Sequence, residues 1–216
     1  MEKLVNKPYR NELKYILSKQ DYFKILKILS SIGFTKYHEP NVVNNVYFDL
    51  NKIAFNENVE GYSNRMKCRI RWYGLNMLDN SINLELKIKR GHAGKKIIKR
   101  LNTSNFKDLN LIKDEIIKIS LKHNLQIENL NPNVQNQYYR EYFIKDNSIR
   151  LTLDSNIKYF KYNEPQLGEY WSKTYVLEIK FDTKLEPNLD FVSRLGLRLE
   201  KNSKYVNGLK LIDSLL

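Results

Sequence analysis

The chain is poor in the residues that build metal centres, cross-links and membrane spans. Its single cysteine, Cys68, excludes an internal disulfide and any thiolate metal cluster. The three histidines, His38, His92 and His123, are scattered without metal-ligand spacing. No run of about 18 apolar residues is present to cross a bilayer. The N-terminus, Met1 to Pro8, lacks an apolar signal core, so a cytoplasmic protein is expected. Gly91-His92-Ala93-Gly94-Lys95 has neither the spacing nor the Ser/Thr of a P-loop and reads as a hairpin turn. With no fixed-period repeat, no low-complexity tract and no dividing linker in 216 residues, one domain spanning 1–216 is expected. Negative charge is also scarce. Asp and Glu number 24 against 37 Lys and Arg, a net charge of +13 that points to an anionic partner. Nucleic acid, an anionic membrane surface and a phosphorylated small molecule all satisfy that criterion.

What the chain does have is a set of strands with charge on one face. In Lys67 to Tyr73 the residues Lys67, Arg69, Arg71 and Tyr73 alternate with Cys68, Ile70 and Trp72. Asn83 to Arg90 sets Glu85, Lys87 and Lys89 against Leu84, Leu86 and Ile88. The same alternation runs through Tyr9–Leu17 (Arg10, Glu12, Lys14), Val42–Leu50, Val134–Ile144 (Tyr138, Arg140, Tyr142), Ile149–Asp154 (Arg150, Thr152, Asp154) and Thr174–Asp182 (Glu178, Lys180, Asp182). Ile157–Tyr162 reads as a further short strand. Lys95–Leu101 is ambiguous, because Lys96 and Arg100 share one face while Lys95 and Lys99 share the other. Helical spacing marks a segment from Ser18 or Asp21 to Ile32, another over Asn105–Leu121, a short one at Asn188–Leu195 and a terminal one at Tyr205–Leu216. The sum is an α+β protein of eight or nine mostly antiparallel strands.

Eight such strands can close in two ways. An ordinary barrel buries the apolar face and turns its charges to water. An inverted one lines a tunnel with charge and covers its apolar exterior with helices. The apolar stripes on the helices need an apolar surface, which favours the inverted form. Arginine use points the same way. Of ten arginines, Arg10, Arg69, Arg71, Arg140 and Arg150 lie on charged strand faces, where a rigid guanidinium fork suits phosphate. Two cations about 6 Å apart repel by roughly 3 kcal/mol at an effective dielectric near 20. Interleaved carboxylates or a bound polyanion must therefore offset such a ring, and Glu12, Glu85 and Glu178 supply the former.

Seven motifs occur in order: Arg10-Asn-Glu12-Leu-Lys14-Tyr15, Tyr47-Phe48-Asp49, Lys67-Cys-Arg69-Ile-Arg71-Trp-Tyr73, Leu84-Glu85-Leu-Lys87, Arg150-Leu-Thr152-Leu-Asp154, Leu177-Glu178-Ile-Lys180 and Ser203-Lys204-Tyr205-Val-Asn-Gly208. Together they resemble the catalytic domain of the vacuolar transporter chaperone (VTC) polyphosphate polymerases, members of the triphosphate tunnel metalloenzymes related to the CYTH domain. The resemblance implies an antiparallel tunnel of about eight strands, with helices outside, that binds ATP and a divalent metal, manganese or magnesium. It implies transfer of the terminal phosphoryl group to polyphosphate. Lys14, Arg69, Arg71, Lys87, Arg150 and Lys204 would be the catalytic phosphate contacts, joined by Lys99 or Arg100 and by Arg140. Glu178 would hold the metal, with Glu12 or Glu85 through water. A triphosphatase, or a polyphosphate-binding module without catalysis, would use the same tunnel. The membrane segments of the eukaryotic enzymes are not among these motifs, so export of product is not implied. An inward-facing basic surface also argues against a nucleic-acid partner, which needs an outward stripe.

Overall fold

The computed structural model describes residues 2–5, 10–75, 81–91, 93–101, 108–125, 127, 129–162, 164, 168–182 and 190–214. The turn expected at Asp79-Asn80, the loop around Pro165 and the expected helix start at Asn105 lie outside these. Ten strands form one antiparallel sheet: β1 (Glu2–Val5), β2 (Arg10–Leu17), β3 (Thr35–Asp49), β4 (Arg65–Tyr73), β5 (Ile82–Arg90), β6 (Ala93–Leu101), β7 (Asn131–Lys145), β8 (Ile149–Lys161), β9 (Tyr170–Trp171) and β10 (Tyr175–Asp182). Neighbours run β1-β6-β5-β4-β3-β7-β8-β10-β2, with β9 beside β8. The helices are α1 (Lys19–Ile28), α2 (Ile53–Glu60), α3 (Leu109–Lys122), α4 (Asp190–Leu195) and α5 (Lys204–Asp213).

The sheet curls strongly. Glu12 on the edge strand β2 reaches Lys87 on β5 at 3.4 Å, although six strand steps separate them along the sheet. In a flat sheet those steps would span about 29 Å. The expected charged interior and apolar exterior are both present. On the convex side, Tyr15, Leu17, Leu151, Leu153, Leu177 and Ile179 pack with Tyr22, Ile25 and Leu29 of the α1 segment and Phe191 and Leu195 of α4. Around the curve, Cys68, Ile70, Leu84, Leu86 and Ile97 pack with Ile112, Ile116 and Ile119 of α3. Each fully buried aliphatic side chain contributes about 1.5–3 kcal/mol, so these two layers hold the helices on the outside. Ser18 is the N-cap of α1 in a capping box, its Oγ accepting from the Asp21 amide at 3.1 Å.

Three details depart from the expected pattern. What read as two strands, Ile149–Asp154 and Ile157–Tyr162, is the single strand β8. Between Tyr139↔Ser155 and Gln137↔Lys158 it carries one extra residue, with Asn156 at φ 50°. That bulge reverses the alternation, so Asp154 and Tyr159 share the concave face although one is even-numbered and the other odd. Next, α2 occupies part of what read as a polar connection. Asp49 caps it, accepting from the Ala54 amide at 3.0 Å and the Phe55 amide at 3.2 Å, and also accepts the Tyr205 hydroxyl. Finally, α5 is not outside. Tyr205, Leu209 and Ile212 pack on Val43, Tyr47, Val134, Tyr138 and Tyr159 of the concave face. Gly208 makes this approach possible, because a Cβ there would lie 2.6 Å from the Tyr159 ring and 2.9 Å from Val134.

Candidate functional site

Cross-strand register assembles the concave face. On one wall, β4 pairs Arg71 with Asn45 and Arg69 with Tyr47 of β3, and Arg69 with Glu85 and Lys67 with Lys87 of β5. The tight β5–β6 hairpin, which pairs Arg90 with Ala93, then sets Lys96 opposite Lys87. On the other wall, β10 pairs Glu178 with Lys14 and Lys180 with Glu12 of β2, and Glu178 with Thr152 of β8. Arg140 of β7 lies opposite Asp154 of β8. The N-terminus of α5 brings Ser203 and Lys204 into the space between the walls.

Four carboxylates divide the cations among them. Glu85, buried, takes Arg69 at 2.6 Å and Lys96 at 2.9 Å. Burial alone would raise its pKa, but the charges of Arg69, Arg71 and Lys96 outweigh that and hold it far below the usual carboxylate range. Burial lowers the Lys96 ammonium to about 8 against the pull of Glu85. Asp154, with no exposed side-chain surface, accepts both ends of the Arg140 fork at 2.6 and 2.8 Å and Lys204 at 2.5 Å. Arg140 and Lys204 also lie over the Tyr138 ring, 5.1 and 4.6 Å from its centroid. Glu178 takes Lys180 at 2.7 Å and has Arg140 at 3.9 Å. Burial opposes its ionisation, yet the charges of Lys180, Lys14 and Arg140 keep its pKa well below the usual value. Glu12 binds Lys14 at 2.9 Å.

Arg71 differs from its neighbours. It is buried at 7% exposure, and its described partners are neutral: Asn45 Oδ1 at 2.8 Å and the Tyr138 hydroxyl at 3.2 Å. Among the described residues no carboxylate lies within ion-pair distance of it.

Of the expected site residues, Lys14, Arg69, Arg71, Lys87, Arg140, Lys204, Glu12, Glu85 and Glu178 all meet on the concave face. Arg150 sits exposed at its rim over the Tyr37 ring, 5.5 Å from the centroid, and Arg100 is exposed on the concave face opposite Asn83. Lys99 does not belong to the site. It faces outward, opposite Leu84, and pairs with Glu115 of α3. Its inward counterpart on β6 is Lys96, which the hairpin register would have identified. Asp154, Lys180, Tyr47, Tyr138 and Asn45 were also given no role by sequence reasoning. Alternation placed them on the right face but could not show that they hold the cations.

The two-carboxylate pair Glu12 and Glu178 fits a hard divalent ion, since phosphate oxygens and water complete such a shell. Glu85 does not fit that role. It lies on the opposite wall and is committed to Arg69 and Lys96. Among the described residues no group of three or more His, Cys, Asp or Glu side chains converges. No described helix is long and apolar enough to cross a membrane.

A curled antiparallel sheet with a cation-lined concave face is the architecture of the triphosphate-tunnel proteins. The VTC domain matches residues 9–212, and the chain belongs to that family. Solved structures share the fold at low identity. A putative adenylate cyclase from Bacillus halodurans is 14% identical with a TM-score of 0.59, over 89% of this chain and 92% of its own. A putative adenylyl cyclase from Hippeastrum, described as having a dominant triphosphatase activity, is 14% identical with a TM-score of 0.58, over 94% and 96%. A putative adenylate cyclase from Vibrio parahaemolyticus is 14% identical with a TM-score of 0.54, over 95% and 99%. No curated protein matches the sequence.

Proposed function

We propose that this chain is a cytoplasmic ATP-dependent polyphosphate polymerase, acting as a single domain whose tunnel binds the triphosphate of ATP. The carrying observation is Arg71, a buried guanidinium whose described partners, Asn45 and Tyr138, are neutral. A buried charge with no carboxylate in contact is costly, and an anion entering the tunnel relieves that cost. Arg69, Lys14, Lys87, Arg140 and Lys204 surround the same space and would position the phosphates, with Arg150 and Arg100 at the rim. Glu12 and Glu178 would hold manganese or magnesium, which when bound neutralises charge developing on the transferred phosphoryl group. Phosphoryl transfer asks for positioning and charge neutralisation more than for a protein nucleophile, so the attacking oxygen would come from the acceptor chain.

A triphosphatase is the second reading, favoured by the activity named for the Hippeastrum relative. There water replaces the acceptor chain. A polyphosphate-binding module is the third. Incubating the purified protein with ATP and manganese or magnesium, then separating the products, decides among them. ADP with lengthening polyphosphate supports the polymerase, and ADP with orthophosphate supports the triphosphatase. Binding of tripolyphosphate with release neither of ADP from ATP nor of orthophosphate from tripolyphosphate or an RNA 5'-triphosphate leaves only the module. Glu178→Gln keeps shape and removes charge, so it should abolish metal-dependent turnover while tripolyphosphate still binds.

A further inference from the structure

Lys67 stands on the concave face of β4, two residues before Arg69, and none of the roles above uses it. Its amine donates to Ser203 Oγ at 2.8 Å. Among the described residues no carboxylate lies within ion-pair distance of it. The groups facing it are cationic from every side: Arg65 and Arg69 on its own strand, Lys87 directly opposite on β5, and Lys14 from β2. From α5 it meets the hydroxyl of Ser203, next to Lys204, whose charge is engaged by Asp154. Glu12, the carboxylate that reaches Lys87, is already shared between Lys87 and Lys14.

We propose that Lys67 is a further phosphate ligand of the tunnel, and that an oligophosphate enters together with one proton that this amine takes up from solvent. The proposal rests on the reading of the tunnel as an oligophosphate site. Burial first, then the charges of Lys87, Lys14, Arg65 and Arg69, lower the ammonium to about 7. Half the molecules therefore carry a neutral amine at neutral pH, which relieves repulsion among five cations crowded at this end. A neutral amine still donates to Ser203, so the geometry survives either state. A polyanion reverses the balance. Its oxygens supply the missing counter-charge, the ammonium form returns, and binding and protonation become linked.

Linkage fixes the size of the effect. With a free-state value of about 7 and a much higher bound value, Lys67 takes up about half a proton at pH 7 and about 0.9 at pH 8. Affinity then falls about tenfold between pH 6 and pH 8 from this residue alone. Because tripolyphosphate itself titrates in this range, the comparison is made against Lys67→Arg, which keeps the charge but does not titrate. Calorimetry with tripolyphosphate, in two buffers of different ionisation enthalpy, reads the protons taken up per site. Expected are an excess uptake by wild type over Lys67→Arg of about 0.9 proton at pH 8, and a ratio of their dissociation constants that grows about tenfold from pH 6 to pH 8. Equal proton uptake and parallel pH profiles, with both proteins binding, would overturn the role of Lys67 and leave the tunnel reading intact. Failure of wild type to bind tripolyphosphate would overturn both. A second measurement needs no variant to fold. In the wild-type protein a lysine side-chain carbon resonance with a midpoint near 7, distinct from that of Lys96 at about 8, should move upward by more than a pH unit with tripolyphosphate present. Its absence would equally sink the proposal.

Discussion

Asp154 is the position at which the charge balance of the tunnel can be tested most directly. It has no exposed side-chain surface, accepts two bonds from Arg140 at 2.6 and 2.8 Å, and takes Lys204 at 2.5 Å. These contacts tie β7, β8 and α5 together through one carboxylate. Asp154→Asn preserves the shape and removes the charge, leaving a buried guanidinium and a buried ammonium facing each other over the Tyr138 ring. Breaking a buried pair in this way costs about 3–5 kcal/mol. In a chain of this length each kcal/mol corresponds to about 2–4 °C, so the melting temperature should fall by about 6–20 °C. The same change makes the tunnel more positive, so an oligophosphate should bind the variant more tightly than wild type. At 100 times the dissociation constant a ligand adds about 2.7 kcal/mol, enough to recover much of the loss. Thermal melts by circular dichroism at constant ionic strength, with tripolyphosphate or orthophosphate, measure both effects. A variant that melts within a degree or two of wild type would refute the reasoning. So would a large loss that tripolyphosphate offsets no better than orthophosphate does.

The remaining expectations concern geometry, binding and acid. Gly208→Ala should destabilise by about 1–3 kcal/mol in denaturant titrations, because its Cβ would meet Tyr159 and Val134 at 2.6 and 2.9 Å. An unchanged midpoint would mean that α5 does not lie against the concave face. Arg71→Ala should weaken tripolyphosphate binding by roughly 1.5–3 kcal/mol, the usual worth of a hydrogen bond to a charged group. Lys99→Ala, on the outer face beside Glu115, should leave that affinity unchanged. Equal losses for the two variants would place the anion elsewhere. Glu85, Asp154 and Glu178 all have folded-state pKa values below their unfolded ones. Their contribution is therefore complete above about pH 4.3 and is lost as pH falls further, toward the lower folded values. Melts between pH 6, where Lys67 is already protonated, and pH 2 should show the decline only below that point, and less steeply in Asp154→Asn.

Much of this was legible in one dimension, because alternation along a strand is a local property. Lys67-Cys68-Arg69-Ile70-Arg71 alone says which side chains share a face, and the apolar stripe of α3 says that something apolar must cover it. Those two facts together place the charge inside the curl. The β6 strand could not be resolved in the same way. Lysines occupy both of its faces, so no contrast in polarity distinguishes them, and only the Arg90↔Ala93 hairpin decides that Lys96 faces in and Lys99 out. Glu12, Glu85 and Glu178 are likewise equivalent as letters. Pairing between neighbouring strands commits Glu85 to Arg69 and Lys96 and leaves Glu12 beside Glu178, and residues on different strands carry no mark of each other in the sequence. The position of α5 was the least legible. Its apolar stripe demands burial but does not say against which surface. The extra residue at Asn156 in β8 turns Ile157 and Tyr159 inward and creates an apolar patch at one end of an otherwise charged concave face. A one-residue slip reverses every side chain beyond it, and that reversal exists only once two strands are paired.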